Sequence, residues 1–348
     1  MTPTTMKRIA ADLGVSITTV SKVLNNHADI GQATRARVLA RVEELGYRPN
    51  AVARSLTLRR THTLGVVIPD LMHSFFVEVV SGIESVASAR GYGLLLCSST
   101  ENSRKERSEL EMLRSRQVDG IVLASVHGSN NAELLQRIAA VSAVVMIDRD
   151  DHPRVRCHRV LTDDDLVGRM ATEHLLAQGR RAVAHIAGPL LAHAKRREAG
   201  YLAALHDAGI EPNPAWIARG GFMDGDGYHA MQRLLTLDPK IDAVFAANDP
   251  AAIGAMQAIW EAGLQVPDDV AVVGAGDIAH GDLLRVPLTT VGWAKEELGR
   301  RAAELILEQI GGREEVAFRR VVISPRLVVR ESCGGGSGQT GFKPKRPR

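Results

Sequence analysis

The sequence contains few cysteines, and no apolar run is as long as a membrane span requires. Cys97, Cys157 and Cys333 are scattered. Their number and spacing exclude a disulfide framework and a zinc-ligand pattern, and favour a reducing cytoplasm. The charges of residues 1–8 are followed by no apolar stretch, so we expect no secretory signal. No P-loop, nucleophile elbow or His-x-x-His pattern occurs, so we expect neither an enzyme nor a bound metal or cofactor.

Positive charge is concentrated at the two ends of the chain. Residues 1–60 hold ten lysines and arginines against four acids, and residues 333–348 hold four basic residues and no acid. The formal net charge of the 348 residues is only +3, so the region between the ends is acidic. This asymmetry predicts a polyanionic partner for the ends and none for the body. The length and the 45% hydrophobic content predict two or three domains with substantial cores.

The first part of the chain has the pattern of two short helices joined by a turn. A first helix is predicted over Met6–Leu13, with Thr4 or Thr5 as its cap and Gly14 at its end. Ser16 is the expected cap of a second helix that runs to about Leu24. Two helices joined in this way predict a helix-turn-helix.

A third helix is predicted to close the core of this domain. Val38, Leu39, Val42 and Leu45 follow a helical period, and Gly46 ends the helix. Val15 and Val20 bracket the cap of the second helix as a hydrophobic staple. An ordinary three-helix bundle is the alternative, and the positive charge of the region disfavours it.

The start of the second helix is the expected DNA-reading element, because a helix-turn-helix places these residues in the major groove. Thr18 can hydrogen-bond a base edge or contact a thymine methyl, and Lys22 can donate to guanine. Ile17 can offer only apolar contact, as to a thymine methyl. Short hydrogen-bonding side chains nearby suit phosphates. The residues predicted to contact DNA here are Thr5, Ser16, Ile17, Thr18, Thr19, Ser21, Lys22 and Asn25.

Residues 50–60 connect this domain to the rest of the chain. Asn50 is a possible helix cap, and neither glycine nor proline follows before Gly65. About two turns of helix are marginal in water, so we expect this segment to become helical only when a partner holds it. A plain linker is the alternative.

Four short stretches resemble a known family. They are Lys7–Ser16, Thr19–Asn25, Leu45–Asn50 and Ala53–Leu56. They closely resemble the lac repressor/gal repressor family of bacterial transcription regulators, and the resemblance continues almost to Arg330. It implies that residues 50–58 form a hinge helix on operator DNA, that two hinges pack side by side in the minor groove, and that Leu56 kinks the duplex by inserting between base steps. It adds these predicted DNA contacts: Asn50, Ala53, Arg54, Leu56 and Arg59.

Residues 61–331 alternate apolar, strand-like runs with helix-length segments. This alternation predicts parallel sheets covered on both faces, and the number of units predicts two Rossmann-like lobes with a ligand beyond the carboxyl ends of the strands. The predicted strands are Leu64–Pro69, Gly93–Ser98, Gly120–Ser125, Ala143–Asp148, Ala182–Gly188, Ala243–Asn248 and Val270–Gly274. The predicted helices include Phe76–Ala89, Arg104–Arg116, Leu166–Gln178, Arg196–Ala208, Gly225–Leu235 and Pro250–Ala262.

The expected fold class is α/β, with an all-helical helix-turn-helix domain before a two-lobed Rossmann-like domain. The resemblance implies the same lobes, of the periplasmic-binding-protein type I, with the chain crossing between them near 159–163 and near 288–293. The predicted divisions are a helix-turn-helix domain at 1–49, a hinge at 50–60, an effector-binding domain at 61–331 and a flexible basic tail at 332–348. Lobe 1 takes about 61–161 and 292–320, and lobe 2 takes about 162–290 and 321–331.

The resemblance further implies an effector cleft. Aromatic faces cover C–H surface, while arginine, asparagine and aspartate satisfy hydroxyls or a carboxylate, which suits a sugar or a related polyol. For Phe75 and Phe76, packing in the core is the alternative. The predicted effector contacts are Phe75, Phe76, Asp163, Arg197, Phe222, Asn248, Asp249, Asp277 and Trp293.

Two positions depart from the family pattern. Gly276 stands where an acidic ligand contact is usual, and Trp293 stands where a glutamine is common, so no particular sugar is indicated. Gly274 and Gly276 also imitate a dinucleotide fingerprint. No capped helix follows them and Pro287 interrupts the sequence, which disfavours nucleotide binding.

Three classes of function therefore compete. The first is a homodimeric, effector-responsive regulator on a pseudo-palindromic operator. A solute-binding protein for transport is disfavoured by the helix-turn-helix and the missing signal. An enzyme on a Rossmann-like scaffold is disfavoured because no catalytic constellation is found.

Overall fold

The computed structural model describes residues 5–24, 27–47, 60–126, 131–238, 240–312 and 317–334. The chain divides into two compact units at His62. In the described ranges, no helix combines the length and the apolar character needed to cross a membrane.

The N-terminal unit contains the three predicted helices, α1 (Met6–Leu13), α2 (Ile17–Leu24) and α3 (Gln32–Glu44). Both predicted caps that fall on described residues are confirmed. Thr5 Oγ1 accepts a hydrogen bond from Arg8 N at 3.4 Å, and Ser16 Oγ accepts one from Thr19 N at 3.0 Å. Gly14 ends α1 with a φ of 66°, a left-handed conformation that favours glycine.

The core of this unit is formed by Ile9, Ala10, Val20, Val23 and Val38. The prediction that Leu39 belongs to this core is wrong, because Leu39 is 46% exposed. Successive helical residues point about 100° apart, so Leu39 turns outward while its neighbour Val38 turns inward.

The C-terminal unit contains two six-stranded sheets, which define its two lobes. Every strand pair is parallel except β10 with β12, which is antiparallel. Lobe 1 has the strand order β11-β5-β4-β3-β1-β2, and lobe 2 has the order β12-β10-β9-β8-β6-β7. The strands are β1 (Thr63–Ile68), β2 (Gly93–Ser98), β3 (Gly120–Leu123), β4 (Ala143–Ile147), β5 (His158–Thr162), β6 (Val183–Ala187), β7 (Ile217–Arg219), β8 (Ala243–Ala246), β9 (Ala271–Ala275), β10 (Thr289–Gly292), β11 (Arg320–Ile323) and β12 (Arg326–Val328).

Helices cover the faces of both sheets, as continuous apolar strands require. They are α4 (Ser74–Ala89), α5 (Ser103–Ser115), α6 (Ala132–Ala139), α7 (Asp164–Ala177), α8 (Ala192–Asp207), α9 (Asp224–Leu235), α10 (Asp249–Glu261) and α11 (Lys295–Gly311), with a short 3₁₀ turn at Pro214–Trp216. The named strands and helices predicted for this unit are all present, with ends within four residues of the prediction. The strands β5, β7, β10, β11 and β12 were not predicted.

The chain passes between the lobes three times. It crosses at Asp163 after β5, at Trp293–Ala294 after β10, and at Ser324–Pro325 between β11 and β12. The third crossing falls later than predicted, because β11 pairs with β5 and so places residues 321–323 in lobe 1.

Candidate functional site

A cavity of about 730 Å³ lies between the two lobes. Loops that follow β1, β2 and β4 line it from lobe 1, and loops that follow β6, β7, β8 and β9 line it from lobe 2. The cavity therefore occupies the position that open parallel sheets reserve for ligands, beyond the carboxyl ends of their strands.

The structure brings six of the nine predicted effector contacts together in the lining of this cavity. They are Phe75, Phe76, Arg197, Phe222, Asn248 and Trp293. Asp163, Asp249 and Asp277 are not among the lining residues. Asp163 instead caps α7, because its Oδ1 accepts a hydrogen bond from Leu166 N at 3.1 Å.

Asp249 and Asp277 lie behind the cavity and hold the loop after β9. The fully buried Asp249 carboxylate accepts hydrogen bonds from Thr290 Oγ1 at 2.6 Å and from Ile278 N at 2.8 Å. Burial raises its pKa to about 6. The Asp277 carboxylate is 2.7 Å from Arg330 Nη2, and the Asp277 carbonyl accepts a hydrogen bond from Lys295 Nζ at 2.5 Å. These contacts fix lobe 2 to the chain where it crosses into lobe 1.

Arg197 projects from α8 and is held by an acid next to the predicted one. Its Nε donates to Asp164 Oδ1 at 2.9 Å, its Nη2 lies 2.8 Å from the same oxygen, and its Nη1 donates to Ala247 O at 2.7 Å. Among the described residues these contacts use three of the five guanidinium N–H groups. Burial raises the pKa of Asp164 to about 7.

Aromatic rings form two walls of the cavity. Phe75 meets Trp293 edge-on, with ring centres 5.8 Å apart, and the Arg197 guanidinium lies 5.1 Å from the Trp293 ring centre. Phe222 stacks on His193 at 5.1 Å. A Cβ at Gly188 would lie 2.4 Å from Phe222 Cε1, so glycine is required there for Phe222 to keep this position.

Four charged cavity residues of lobe 1, Asp70, Glu101, Asp148 and Arg149, were not predicted. Arg149 is 3% exposed, and its Nη1 and Nη2 donate to the two Glu101 carboxylate oxygens at 3.0 and 2.7 Å. Asp148 is buried beside it, and burial raises the pKa of Asp148. Asp148 and Arg149 directly follow β4, so the rule that ligands lie beyond strand ends could have identified them.

Two neutral histidines complete the polar lining. Burial lowers the pKa of His73 and of His193. His73 caps α4, since its Nδ1 accepts a hydrogen bond from Phe75 N at 3.3 Å. Its Nε2 lies 3.4 Å from Asn248 Nδ2, an amide nitrogen that only donates. A neutral ring accepts at one nitrogen only, so the tautomer of His73 decides which of these two hydrogen bonds forms. In either tautomer His73 places a ring nitrogen beside Asn248 of the opposite lobe.

One side chain of lobe 1 caps a helix of lobe 2. Helix α8 begins after Leu191, which has no side-chain oxygen to cap it. Asp151, in the loop after β4, accepts a hydrogen bond from Ala192 N at 2.9 Å. This bond therefore joins the lobes at the first turn of the helix that carries His193 and Arg197.

The predicted DNA contacts on described residues lie along α2 and at the caps of α1 and α2. Ser16, Ile17 and Thr18 are exposed there. Thr19, Ser21 and Lys22 are partly exposed, and Lys22 Nζ lies 2.5 Å from Asp29 Oδ2. The predicted contacts at Asn25, Asn50, Ala53, Arg54, Leu56 and Arg59, together with the hinge helix, lie outside the described residues.

Comparison with known proteins covers both units. Residues 5–50 match the family described as bacterial regulatory proteins, lacI family, and residues 61–331 match periplasmic binding proteins and sugar binding domain of LacI family. The HTH-type transcriptional repressor PurR of Haemophilus influenzae (strain PittEE) is 34% identical over 332 residues, which cover 94% of this chain and 98% of that protein. The ribose operon repressor of Escherichia coli (strain K12) is 36% identical over 332 residues, covering 94% and 99%.

Solved structures show the same two-unit organisation. The lac repressor dimer bound to operator and the anti-inducer ONPF matches with a TM-score of 0.85 at 27% identity, over 95% of this chain and 99% of that chain. The transcriptional regulator CelR in complex with cellobiose matches with a TM-score of 0.73 at 33% identity, over 94% and 99%.

Proposed function

The chain belongs to the lacI family of bacterial regulatory proteins, and on this basis we propose which residues read its operator and which hold its effector. The protein is a sequence-specific DNA-binding transcriptional repressor whose operator affinity is controlled by a small molecule such as a sugar. Its relatives are transcriptional repressors rather than enzymes. We infer a homodimer acting on cytoplasmic DNA, because helix-turn-helix dimers match the two-fold symmetry of their operators.

The operator is read by the exposed start of α2. Ile17 and Thr18 supply contacts to base edges, and Lys22 donates to a guanine. Ser16 and Thr19 are hydrogen-bonded to each other at 2.9 Å between their side-chain oxygens, so they present a fixed pair of hydroxyls for phosphate contacts. Exposure of this helix face while Val20 and Val23 are buried supports the assignment.

The effector is held in the cavity between the lobes. The observation that carries this proposal is the convergence of Arg197 and Asn248 from lobe 2 with Phe75 from lobe 1 around one cavity of about 730 Å³. Trp293 and Phe75 cover the C–H faces of a sugar-like ligand, and the unused N–H groups of Arg197 donate to its hydroxyls. A ligand that touches both lobes stabilises one lobe arrangement over another, which is the free-energy source for changing operator affinity.

Replacing Arg197 with alanine tests the effector site. The variant should bind operator as wild type does and lose its response to the effector, measured by fluorescence anisotropy of operator DNA with a panel of neutral sugars. Arg196→Ala is the matched control, because Arg196 is the neighbouring arginine and its side chain is 44% exposed. A wild-type response in Arg197→Ala removes Arg197 from the site.

A further inference from the structure

The effector cavity has no excess of positive charge to offer a ligand. Among its described lining residues the cationic side chains are Arg149 and Arg197, whereas Asp70, Glu101, Asp148 and Asp226 are acidic. Each arginine already has an acidic partner in the protein. Arg197 is paired with Asp164, and Arg149 is paired with Glu101. An anionic ligand would therefore have to compete with carboxylates that are built into the site.

The Arg149–Glu101 pair has the geometry of a strong interaction. Both Nη atoms of Arg149 donate to separate oxygens of one carboxylate, which is the bidentate arrangement that adds directionality to charge. Arg149 also donates to Ser125 O at 3.2 Å. Its Nε is buried and has no hydrogen-bond partner among the described residues, although Asp148 Oδ2 lies 3.5 Å away as an ion-pair partner. The guanidinium thus sits beside the cavity with its charge balanced by two acids.

The backbone that carries Glu101 is strained. Thr100 and Glu101 have φ values of 49° and 51°, and Asp148 has a φ of 62°. Residues other than glycine rarely adopt this left-handed region, and they persist there only when surrounding contacts enforce it. All three strained residues line the cavity. The fold therefore maintains strained backbone at Glu101 and Asp148, the two residues whose carboxylates lie around Arg149.

We propose that Glu101 sets the charge selectivity of the effector cavity, neutralising Arg149 so that phosphorylated and carboxylated compounds are excluded and uncharged polyols are accepted. This inference rests on the proposed function, in that the cavity holds the effector. The competing explanation is that Glu101 only anchors the loop after β2. The two explanations differ in what a small anion does when Glu101 loses its charge.

Isothermal titration calorimetry with inorganic phosphate as the probe separates the two explanations. Four full-length proteins are titrated at constant ionic strength, adjusted with sodium chloride. They are the wild type, Glu101→Gln, Arg149→Gln and the double variant that combines these two substitutions. Glu111→Gln is the matched control, because it removes one acidic charge from an exposed position on α5 of the same lobe. The N-terminal unit is identical in every variant, so its own affinity for phosphate cancels in the comparison.

If Glu101 sets the selectivity, Glu101→Gln should bind phosphate about tenfold or more tightly than the wild type. A hydrogen bond to a charged group contributes a free energy that corresponds to about this ratio of affinities. Glu111→Gln should match wild type, and the double variant should lose the gain. If phosphate binds saturably to the wild type and Arg149→Gln abolishes that binding, the proposal is overturned. Equal affinity of wild type and Glu101→Gln would also overturn it. The Arg197→Ala experiment reports separately on the proposed function, because it tests whether the cavity holds the effector and does not depend on the affinity for phosphate.

Discussion

Replacing Asp151 with alanine should weaken the connection between the two lobes without touching the cavity lining. Asp151 belongs to lobe 1, and its Oδ1 accepts the hydrogen bond of Ala192 N at the first turn of α8 in lobe 2. The residue before that helix is Leu191, which offers no cap of its own. Alanine leaves an unpaired N–H group on α8 and also removes a negative charge from the positive end of the helix dipole.

The expected size of the effect follows from helix capping. Loss of a capping side chain costs about 1 kcal/mol, within a range of about 0.5–2 kcal/mol. Because this cap is supplied from the opposite lobe, the cost falls on the lobe arrangement in which the bond exists. A change of about 1 kcal/mol corresponds to an increase of about fivefold in the population of arrangements with the lobes apart. Asp151→Asn should retain most of the wild-type behaviour, since asparagine caps helices about as well as aspartate.

Pulsed electron spin resonance measures this population directly. Spin labels at Ser88→Cys in α4 and Gln257→Cys in α10 report one lobe each, since both positions are exposed. The three native cysteines are buried, so labelling is confined to the introduced thiols. The distance distribution of Asp151→Ala should broaden toward longer distances than that of Asp151→Asn or wild type.

Identical distributions for wild type and Asp151→Ala would refute the argument, because the bond would then contribute nothing to lobe arrangement. A distribution for Asp151→Asn that matches the alanine variant would instead show that the carboxylate charge, rather than the hydrogen bond, holds the lobes.

Two further predictions concern other parts of the molecule. Lys22→Ala should lower the ratio of affinities for operator and random DNA, because base contacts specify whereas phosphate contacts only position; an equal loss on both DNAs in anisotropy titrations would make Lys22 a phosphate ligand. His185 is fully buried and stacked between Tyr201 and Phe245, and burial lowers its pKa to about 4. Above pH 6.5 this histidine is neutral in both the folded and the unfolded chain. As the pH falls from 6.5 toward 4, only the unfolded chain takes up a proton at this histidine. The free energy of unfolding should therefore fall by about 3 kcal/mol over this range. Chemical denaturation of wild type and His185→Gln across this pH range should show a shallower loss in the variant, and parallel curves would contradict the assignment.

The sequence predicted the elements whose residues are uniform in character. Strands such as β4 and β9 are buried along their whole length, so an unbroken apolar run marks them. By contrast, β11 and β12 alternate charged or exposed residues with partly buried ones and lie at sheet edges. Their patterns are too short and too polar to distinguish from loops, because pairing with a distant strand, rather than local sequence, makes them strands.

The candidate site was predictable only to the resolution of a helix turn. Sequence patterns do not distinguish the three aspartates at 163–165. The residue at which α7 begins determines that Asp163 caps the helix and that Asp164 turns inward to Arg197. Which aspartate takes which role depends on the first residue of the helix, and sequence patterns place that residue only within one or two positions. Glu101 and Arg149 could not be paired from the sequence, because 48 residues separate them and only the sheet brings them together.

Trp293 departs from the family pattern, in which a glutamine is common, and its position against Arg197 shows what this departure changes in the cavity. The indole cannot accept a hydrogen bond from the guanidinium as a glutamine oxygen could, and it offers instead a ring face 5.1 Å from the Arg197 carbon. The Trp293 ring therefore offers no acceptor to the N–H groups of Arg197 that Asp164 and Ala247 leave unused. Gly276, which lines the same cavity, has no side chain to supply one either. In the proposed effector site, a pair of neighbouring hydroxyls over the Trp293 face would accept from these donors and cover the apolar surface at once.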